Sequence, residues 1–208
     1  MEIRSSARWR KWLRRVAVGL SAFALFALCL FFSLPWLLIR SPEEVKSEVI
    51  LYFGGGDKLA TDMYVAELYR EGFGKQIVCL SRQITWQTYP GDFARDRLLK
   101  LGLPAADVMT FHLPRTACEA ELTPLLLDYL KQQGWKRVLV VTSPQGSRAT
   151  HRVLSSRLAQ EQISLSITYA PEDRDELRGQ WWRDHRNTQK LVGTGIEVLA
   201  DLLYPSCW

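Results

Sequence analysis

The sequence predicts an α/β domain, a parallel β-sheet with helices on both faces, preceded by one transmembrane helix. Three observations lead to this prediction. Short apolar runs alternate with helical segments through residues 48–204, and this alternation is typical of parallel sheets covered on both faces. Gly, Pro and polar clusters separate the segments. An apolar run of 24 residues without a charge precedes all of them.

The apolar run Val16–Ile39 is long enough to cross a ~30 Å hydrocarbon core as a helix. Six basic residues precede it and an acidic segment follows Arg40, which places the N-terminus in the cytoplasm and the domain outside it. A cleaved signal peptide is the alternative, but its apolar region is shorter and ends at a small-residue site. We therefore expect a single-pass protein of the inner (cytoplasmic) membrane. Its predicted segments are a basic cytoplasmic stretch (1–15), the span (16–39), a linker (40–47) and the domain (48–208).

The net charge of +5 belongs to the N-terminal segment. Residues 1–40 hold seven of the 27 basic and one of the 22 acidic residues, so 20 basic and 21 acidic residues remain in 41–208. A domain with a net charge of −1 lacks the basic surface that binding to a phosphate backbone requires. We expect no nucleic-acid partner.

The first half of the domain predicts three strands and three helices. An apolar run that ends at a glycine triplet predicts the first strand, and apolar residues at helical spacing followed by Gly72 predict the first helix. Later apolar runs and Gly or Pro stops give the remaining elements. The predicted strands are 48–53, 76–80 and a short 107–110, and the helices are 58–71, 92–101 and 116–133, the last with a kink or a new start at Pro124.

The second half predicts two strands and two helices. Residues 137–142 form the clearest apolar strand, and a helix over 147–160 follows with Ser147 as its cap. Residues 164–169 alternate polar and apolar side chains, which suits a strand at the edge of the sheet. The final helix is predicted over 188–204. Trp181 and Trp182 precede it, and we expect them to pack in the core or on the sheet edge, with a sugar or the membrane surface as alternative contacts.

Three loops are predicted to meet at the carboxyl ends of the strands, where open parallel sheets bind ligands. The first is Gly54-Gly55-Gly56-Asp57, whose glycines allow the backbone to approach an anion closely. The second is Arg115–Glu119, in which Thr116 and Glu119 also have the spacing of a capping box. The third runs from Thr142 through Ser143 to Arg148, whose side chain could pair with a carboxylate or phosphate. Neither a dinucleotide nor a Walker-type motif is present.

Together these motifs resemble the envelope-protein family that contains SanA, ElyC and YdcF, over roughly residues 46–204. The resemblance rests on the order strand–GGG, T-x-x-E opening a helix, L-V-V-T-S-P with an arginine shortly after, and a Trp-rich segment before the last helix. It implies a Rossmann-like domain, a role in cell-envelope biogenesis, and a crevice formed by the residues Gly54, Gly55, Gly56, Thr116, Glu119, Thr142, Ser143 and Arg148.

The chain departs from the family pattern at three places. Ser81-Arg82-Gln83 stands where the family has Ser-Gly-Gly, Gln145-Gly146 stands where it has Tyr-His, and Thr194 stands where it has a glutamate. Loss of the histidine removes the evident proton-transfer group of this crevice. The sequence therefore favours a binding or accessory protein of cell-envelope or exopolysaccharide biogenesis that holds an anionic ligand and contacts an envelope polymer or assembly protein. The alternative is an extracytoplasmic enzyme on a phosphate-bearing precursor, with Glu119 as acid or base.

Cysteine and histidine usage predicts no metal site and no cofactor. The chain has four cysteines without a CxxC pair, and its three histidines are far apart in sequence. Cys79 lies in an apolar run and is expected to be a small buried residue. A Cys118–Cys207 disulfide in an oxidising compartment is possible from the sequence.

Overall fold

The computed structural model describes residues 3–53, 59–84, 88–114, 119–171 and 181–203. The chain divides into two compact units, Met1–Leu37 and Leu38–Trp208. The first unit belongs to helix α1 (Ile3–Leu38), which contains Pro35 in its last turn. Its segment Trp12–Leu38 comprises 27 residues, long and apolar enough to cross a membrane, and its apolar side chains are exposed. A single-pass anchor and a signal sequence both have this form.

The second unit is an α/β domain, as the sequence predicted. Its five strands form one sheet in the order β3-β2-β1-β4-β5, and every neighbouring pair is parallel. The strands are β1 (Val49–Tyr52), β2 (Gln76–Arg82), β3 (Val108–Leu113), β4 (Arg137–Val141) and β5 (Ser164–Thr168). The helices are α2 (Leu59–Arg70), α3 (Pro90–Lys100), α4 (Glu119–Gln133), α5 (Ser147–Gln160) and α6 (His185–Leu203), with a 3₁₀ turn at Trp181–Arg183.

Helices cover both faces of the sheet because the strands are apolar on both sides. Within β1, Ile50 and Tyr52 pack on one face with α2 and α3, whereas Val49 and Leu51 pack on the other with α4 and α5. All four residues of β1 are buried. Burial of both faces explains why β1 is a continuous apolar run rather than an alternating one. The Rossmann-like parallel sheet is therefore confirmed, and β5 lies at its edge as predicted.

Most element bounds agree with the sequence within a few residues, and β3 differs most. It runs to Leu113 instead of ending at Thr110, since Phe111 and Leu113 continue the pairing with Leu80 and Arg82. Two helices begin earlier than predicted. Pro90 starts α3, as proline can at a first helical position, and His185 starts α6. Pro124 lies inside α4.

The segment between α1 and β1 is bonded to the domain. Leu38 is buried in the second unit, with 5% of its surface exposed. The backbone N–H of Glu43 donates to Ile167 in β5, and that of Ser47 donates to Phe73. Backbone hydrogen bonds thus hold the predicted linker 40–47 to β5 and to the turn before β2.

Candidate functional site

The strand order sets where a ligand crevice can lie. The chain builds β1, β2 and β3 in one direction and then crosses to place β4 on the other side of β1. Tyr52 is paired with Val141, so the loops that follow β1 and β4 start side by side. The N–H of Phe53 donates to the carbonyl of Val141 at 3.0 Å. This reversal point is where open α/β sheets hold their ligands.

Several predicted site residues lie outside the described part of the chain. They are Gly54, Gly55, Gly56, Asp57 and Thr116, together with Cys118 and Cys207 of the proposed disulfide. Glu119 is the first residue of α4, and its side chain is likewise outside the description. Convergence of the glycine loop with Glu119 and Arg148 therefore stays a prediction. Thr142, Ser143 and Arg148 are described.

The turn after β4 is held by its own hydrogen bonds. Thr142 is buried and its N–H donates to Thr168 at 3.2 Å, whereas Ser143 is exposed. The N–H of Gly146 donates to the Ser143 carbonyl at 3.1 Å and to its hydroxyl at 3.3 Å. A β-carbon at Gly146 would stand 3.1 Å from that hydroxyl, so glycine keeps the turn tight. The turn presents Ser143 at the carboxyl edge of β4.

Ser147 and Arg148 bind the segment that leaves α1. Ser147 Oγ accepts the N–H of Arg40 at 2.9 Å and donates to the Pro144 carbonyl at 2.6 Å. The predicted capping role of Ser147 is wrong, because Gly146 is the cap residue and Ser147 occupies the first helical position. Arg148 is exposed, and its Nη2 donates to the Ile39 carbonyl at 3.1 Å. Sequence reasoning missed this contact because its partners are 109 residues apart.

An apolar pocket lies between the sheet and helices α4 and α5. It encloses about 70 Å³. Its floor comes from Phe53, which follows β1, and from Leu80 of β2 and Leu113 of β3. Its walls come from α4 (Thr123 and Leu126) and α5 (Thr150, Val153 and Leu154). The pocket therefore lies at the carboxyl edge, but its surface is hydrocarbon except for two threonines.

A histidine–carboxylate pair occupies the same edge of the sheet on the opposite face. His112, the penultimate residue of β3, places Nε2 2.8 Å from Asp92 Oδ1, and both side chains are about half exposed (45% and 47%). The Tyr89 ring stacks on the imidazole with the centroids 4.0 Å apart. A carboxylate that fixes an imidazole is the usual arrangement of a proton-transfer histidine. The sequence did not indicate this pair, because the predicted third strand ends two residues before His112.

A buried ionic cluster lies deeper on that face. Asp62 is fully buried, accepts a hydrogen bond from Tyr52 Oη at 2.8 Å, and pairs with Arg97. Burial and the nearby Asp62 charge raise the pKa of Tyr52, and the hydrogen bond to Asp62 raises the pKa of Arg97. Burial, followed by the Asp62 charge, raises the pKa of the Cys79 thiol to about 12. Cys79 is completely buried, as predicted, and Asp62 links α2, β1 and α3.

The Trp pair has one buried and one exposed member. Trp181 packs in the domain as expected, with 3% of its surface exposed. Trp182 has 43% of its surface exposed. Within the described ranges, no group of three or more His, Cys, Asp or Glu side chains could hold a metal ion.

Comparison of the sequence with models of known protein families finds no match, and comparison with curated proteins finds no similar sequence. The likeness to the SanA, ElyC and YdcF family thus rests on the motifs alone.

Proposed function

We propose that this chain is a membrane-anchored binding or accessory protein of cell-envelope or exopolysaccharide biogenesis, with its domain outside the cytoplasm. The carboxyl edge of its sheet holds an anionic ligand that carries a phosphate or carboxylate. The proposal rests on the adjacency of β1 and β4. Because these strands are neighbours, the glycine-rich loop starts beside the Thr142–Gly146 turn. The envelope role follows from the motif resemblance.

The exposed apolar helix supports the membrane anchor. Most apolar side chains of the segment Trp12–Leu38 are exposed, and burying them in lipid removes this surface from water. The basic residues before the span and the acidic segment after it orient the helix with its N-terminus in the cytoplasm. An envelope ligand would then meet the domain on the outer side of the membrane.

The charge of α5 supports an anionic ligand. Its 14 residues include Arg148, Arg152 and Arg157 and no acidic residue. Its N-terminal end, whose backbone N–H groups carry partial positive charge, points to the reversal point of the sheet. Of the three arginines, Arg148 lies in the first turn of α5 and brings positive charge to the edge where β1 and β4 end.

The proposal is tested by Arg148→Ala, with Arg152→Ala as the matched control one helical turn further on. The full chain is placed in uncharged phosphatidylcholine nanodiscs, and its unfolding temperature is followed as inorganic phosphate replaces chloride at constant ionic strength. We expect phosphate to stabilise the wild type and Arg152→Ala, because binding to the folded state raises stability. Arg148→Ala should lose most of this phosphate effect. If phosphate stabilised both variants equally, Arg148 would not be part of the site.

The enzyme alternative is favoured by one observation, the His112–Asp92 pair at the same sheet edge. In that function His112 transfers a proton to or from water or a hydroxyl group, and Glu119 is a further acid or base. The predicted loops at the carboxyl edge hold the phosphate of an envelope precursor. The measurement is release of inorganic phosphate from extracted membrane lipids by the full chain. Release by the wild type and its loss in His112→Asn would establish the enzyme, whereas no release by the wild type would leave the binding function.

A further inference from the structure

We propose that the apolar pocket between α4 and α5 receives a hydrocarbon chain of an anionic membrane lipid. This inference deepens the proposed function and rests on it for the anionic group. The ligand class becomes an amphiphile whose charged head and apolar tail are bound by adjoining parts of the carboxyl edge.

The lining of the pocket selects hydrocarbon. Six of its eight side chains are apolar, including Leu80 and Leu113 from the sheet and Leu126, Val153 and Leu154 from the helices. A volume of about 70 Å³ exceeds the ~10–15 Å³ that one water molecule needs, yet ordered water also requires two to four polar partners. The two threonine hydroxyls supply few such partners. An apolar group is therefore the better occupant of this space.

The position of the pocket joins it to the predicted anion site. Phe53 lines the pocket and directly precedes the glycine loop. Thr150 lines it from α5, two residues after Arg148 and one turn after Gly146. Phe53 therefore borders both the pocket and the loop in which the phosphate is proposed to bind. A head group alone would leave this apolar surface in contact with water.

Chain connectivity points to a membrane lipid as the source of the hydrocarbon. Leu38 is the last residue of α1, and Arg40, two residues on, donates its backbone N–H to Ser147 Oγ at 2.9 Å. Ser147 is in the same first turn of α5 that contributes Thr150 to the pocket. The first turn of α5 therefore binds the chain two residues after the apolar helix and also contributes to the pocket. The site is tethered by two residues of chain to the segment that we assign to the membrane.

The test uses substitutions that fill the pocket and leave the charged side chains unchanged. Val153→Phe adds an aromatic ring to the pocket wall, and Thr150→Leu is a smaller filling change at another wall position. Ala159→Phe is the matched control, because Ala159 lies on the exposed face of α5. The full chain in nonionic detergent is given phosphatidic acid, diacylglycerol with the same chains, or inorganic phosphate. Native mass spectrometry then counts the lipids retained.

We expect the wild type and Ala159→Phe to retain phosphatidic acid, and diacylglycerol more weakly. Both filling variants should retain about tenfold less phosphatidic acid, since a few methylene groups lose their apolar contacts. Lipids bound around α1 are common to all variants and cancel in the comparison. Urea unfolding of each variant confirms that the domain is folded.

Equal retention of phosphatidic acid by Ala159→Phe and a folded filling variant would overturn the lipid-chain proposal. The proposed anion site has an independent readout, because phosphate-dependent stabilisation should persist in Val153→Phe. Loss of lipid retention with intact phosphate stabilisation supports both proposals. Intact lipid retention with intact phosphate stabilisation rejects the pocket and leaves the anion site.

Discussion

Asp62 is the residue on which the α2–α3 face depends most. A fully buried carboxylate is costly unless it is paired, and here Arg97 and the Tyr52 hydroxyl satisfy it. The three side chains connect α2, β1 and α3 directly beneath the carboxyl edge. Asp62 and Tyr52 are buried, whereas the Arg97 side chain keeps 27% of its surface exposed.

Replacing Asp62 should destabilise the domain strongly. Asp62→Asn removes the partner charge and leaves Arg97 in a largely buried environment, and we expect a loss of about 3 kcal/mol in the free energy of unfolding. Asp96→Asn on the exposed side of α3 is the control, and it should change stability by no more than about 0.5 kcal/mol. Urea unfolding of the full chain in nonionic detergent measures both. Similar values for the two variants would show that the buried pair contributes little.

At the residue scale, the sequence predicted which side chains are buried better than it predicted which side chains contact each other. Burial of Cys79 followed from its apolar run and burial of Trp181 from the usual packing of tryptophan side chains, and both are confirmed. The Arg148–Ile39 bond and the His112–Asp92 pair could not be predicted, because each joins segments that only the tertiary fold brings together. A histidine two residues beyond a predicted strand end carries no local signal of a carboxylate twenty positions earlier.

At the scale of elements, α3 and α6 use glycine for different reasons. Gly91 lies in the first turn of α3, and a β-carbon there would stand 2.6 Å from Ser81 Cβ. Its N–H donates to Ser81 Oγ at 2.8 Å, which holds α3 against β2. Gly193 lies inside α6, and a β-carbon would meet nothing within 4 Å. Close packing requires the first glycine and not the second.

The same substitution should therefore act in opposite directions at these two helices. Gly91→Ala should cost about 2 kcal/mol of folding free energy, because backbone and strand must separate to admit the methyl group. Gly193→Ala should stabilise by up to about 1 kcal/mol, since alanine favours a helix interior. Urea unfolding of the two variants gives the comparison. A destabilising Gly193→Ala would indicate that α6 packs against a surface through this position.

The elements were predictable from the sequence because local patterns determine them. Apolar runs predicted four of the strands and polar–apolar alternation predicted β5, and the helices followed from apolar spacing and glycine stops. The end of β3 was missed because Phe111 and Leu113 surround the polar His112, so the run does not read as continuous. Pairing with β2, which the sequence does not display, extends the strand.

At the scale of the whole molecule, alternation of strands and helices predicted a parallel sheet but not its order. The order β3-β2-β1-β4-β5 places β1 at the reversal point, and this makes the edge after Tyr52 the candidate site. Strand order depends on how crossover connections pack, which leaves no local trace in the sequence. The apolar pocket beneath the edge was likewise unpredicted, because its lining combines Phe53 with residues of β2, β3, α4 and α5.

The orientation of the whole chain follows from its charge asymmetry. A reporter that functions only outside the cytoplasm should be active when it is fused after Trp208, and the protein should stay in the membrane fraction with its N-terminus intact. Replacing the six basic residues before Val16 with glutamine should weaken this orientation. A shortened, soluble product would show instead that α1 is a cleaved signal sequence.

The central claim is that an anion binds where β1 and β4 end. Hydrogen–deuterium exchange of the full chain in phosphatidylcholine nanodiscs, with phosphate replacing chloride at constant ionic strength, tests it most directly. Bound phosphate should slow exchange in peptides that cover residues 53–58 and 142–148, because an anion held by both loops makes their local opening less frequent. The amino-edge turns at residues 72–75 and 134–136 should not change. Protection of those turns, or no phosphate-dependent protection after Tyr52 and Val141, would contradict the account.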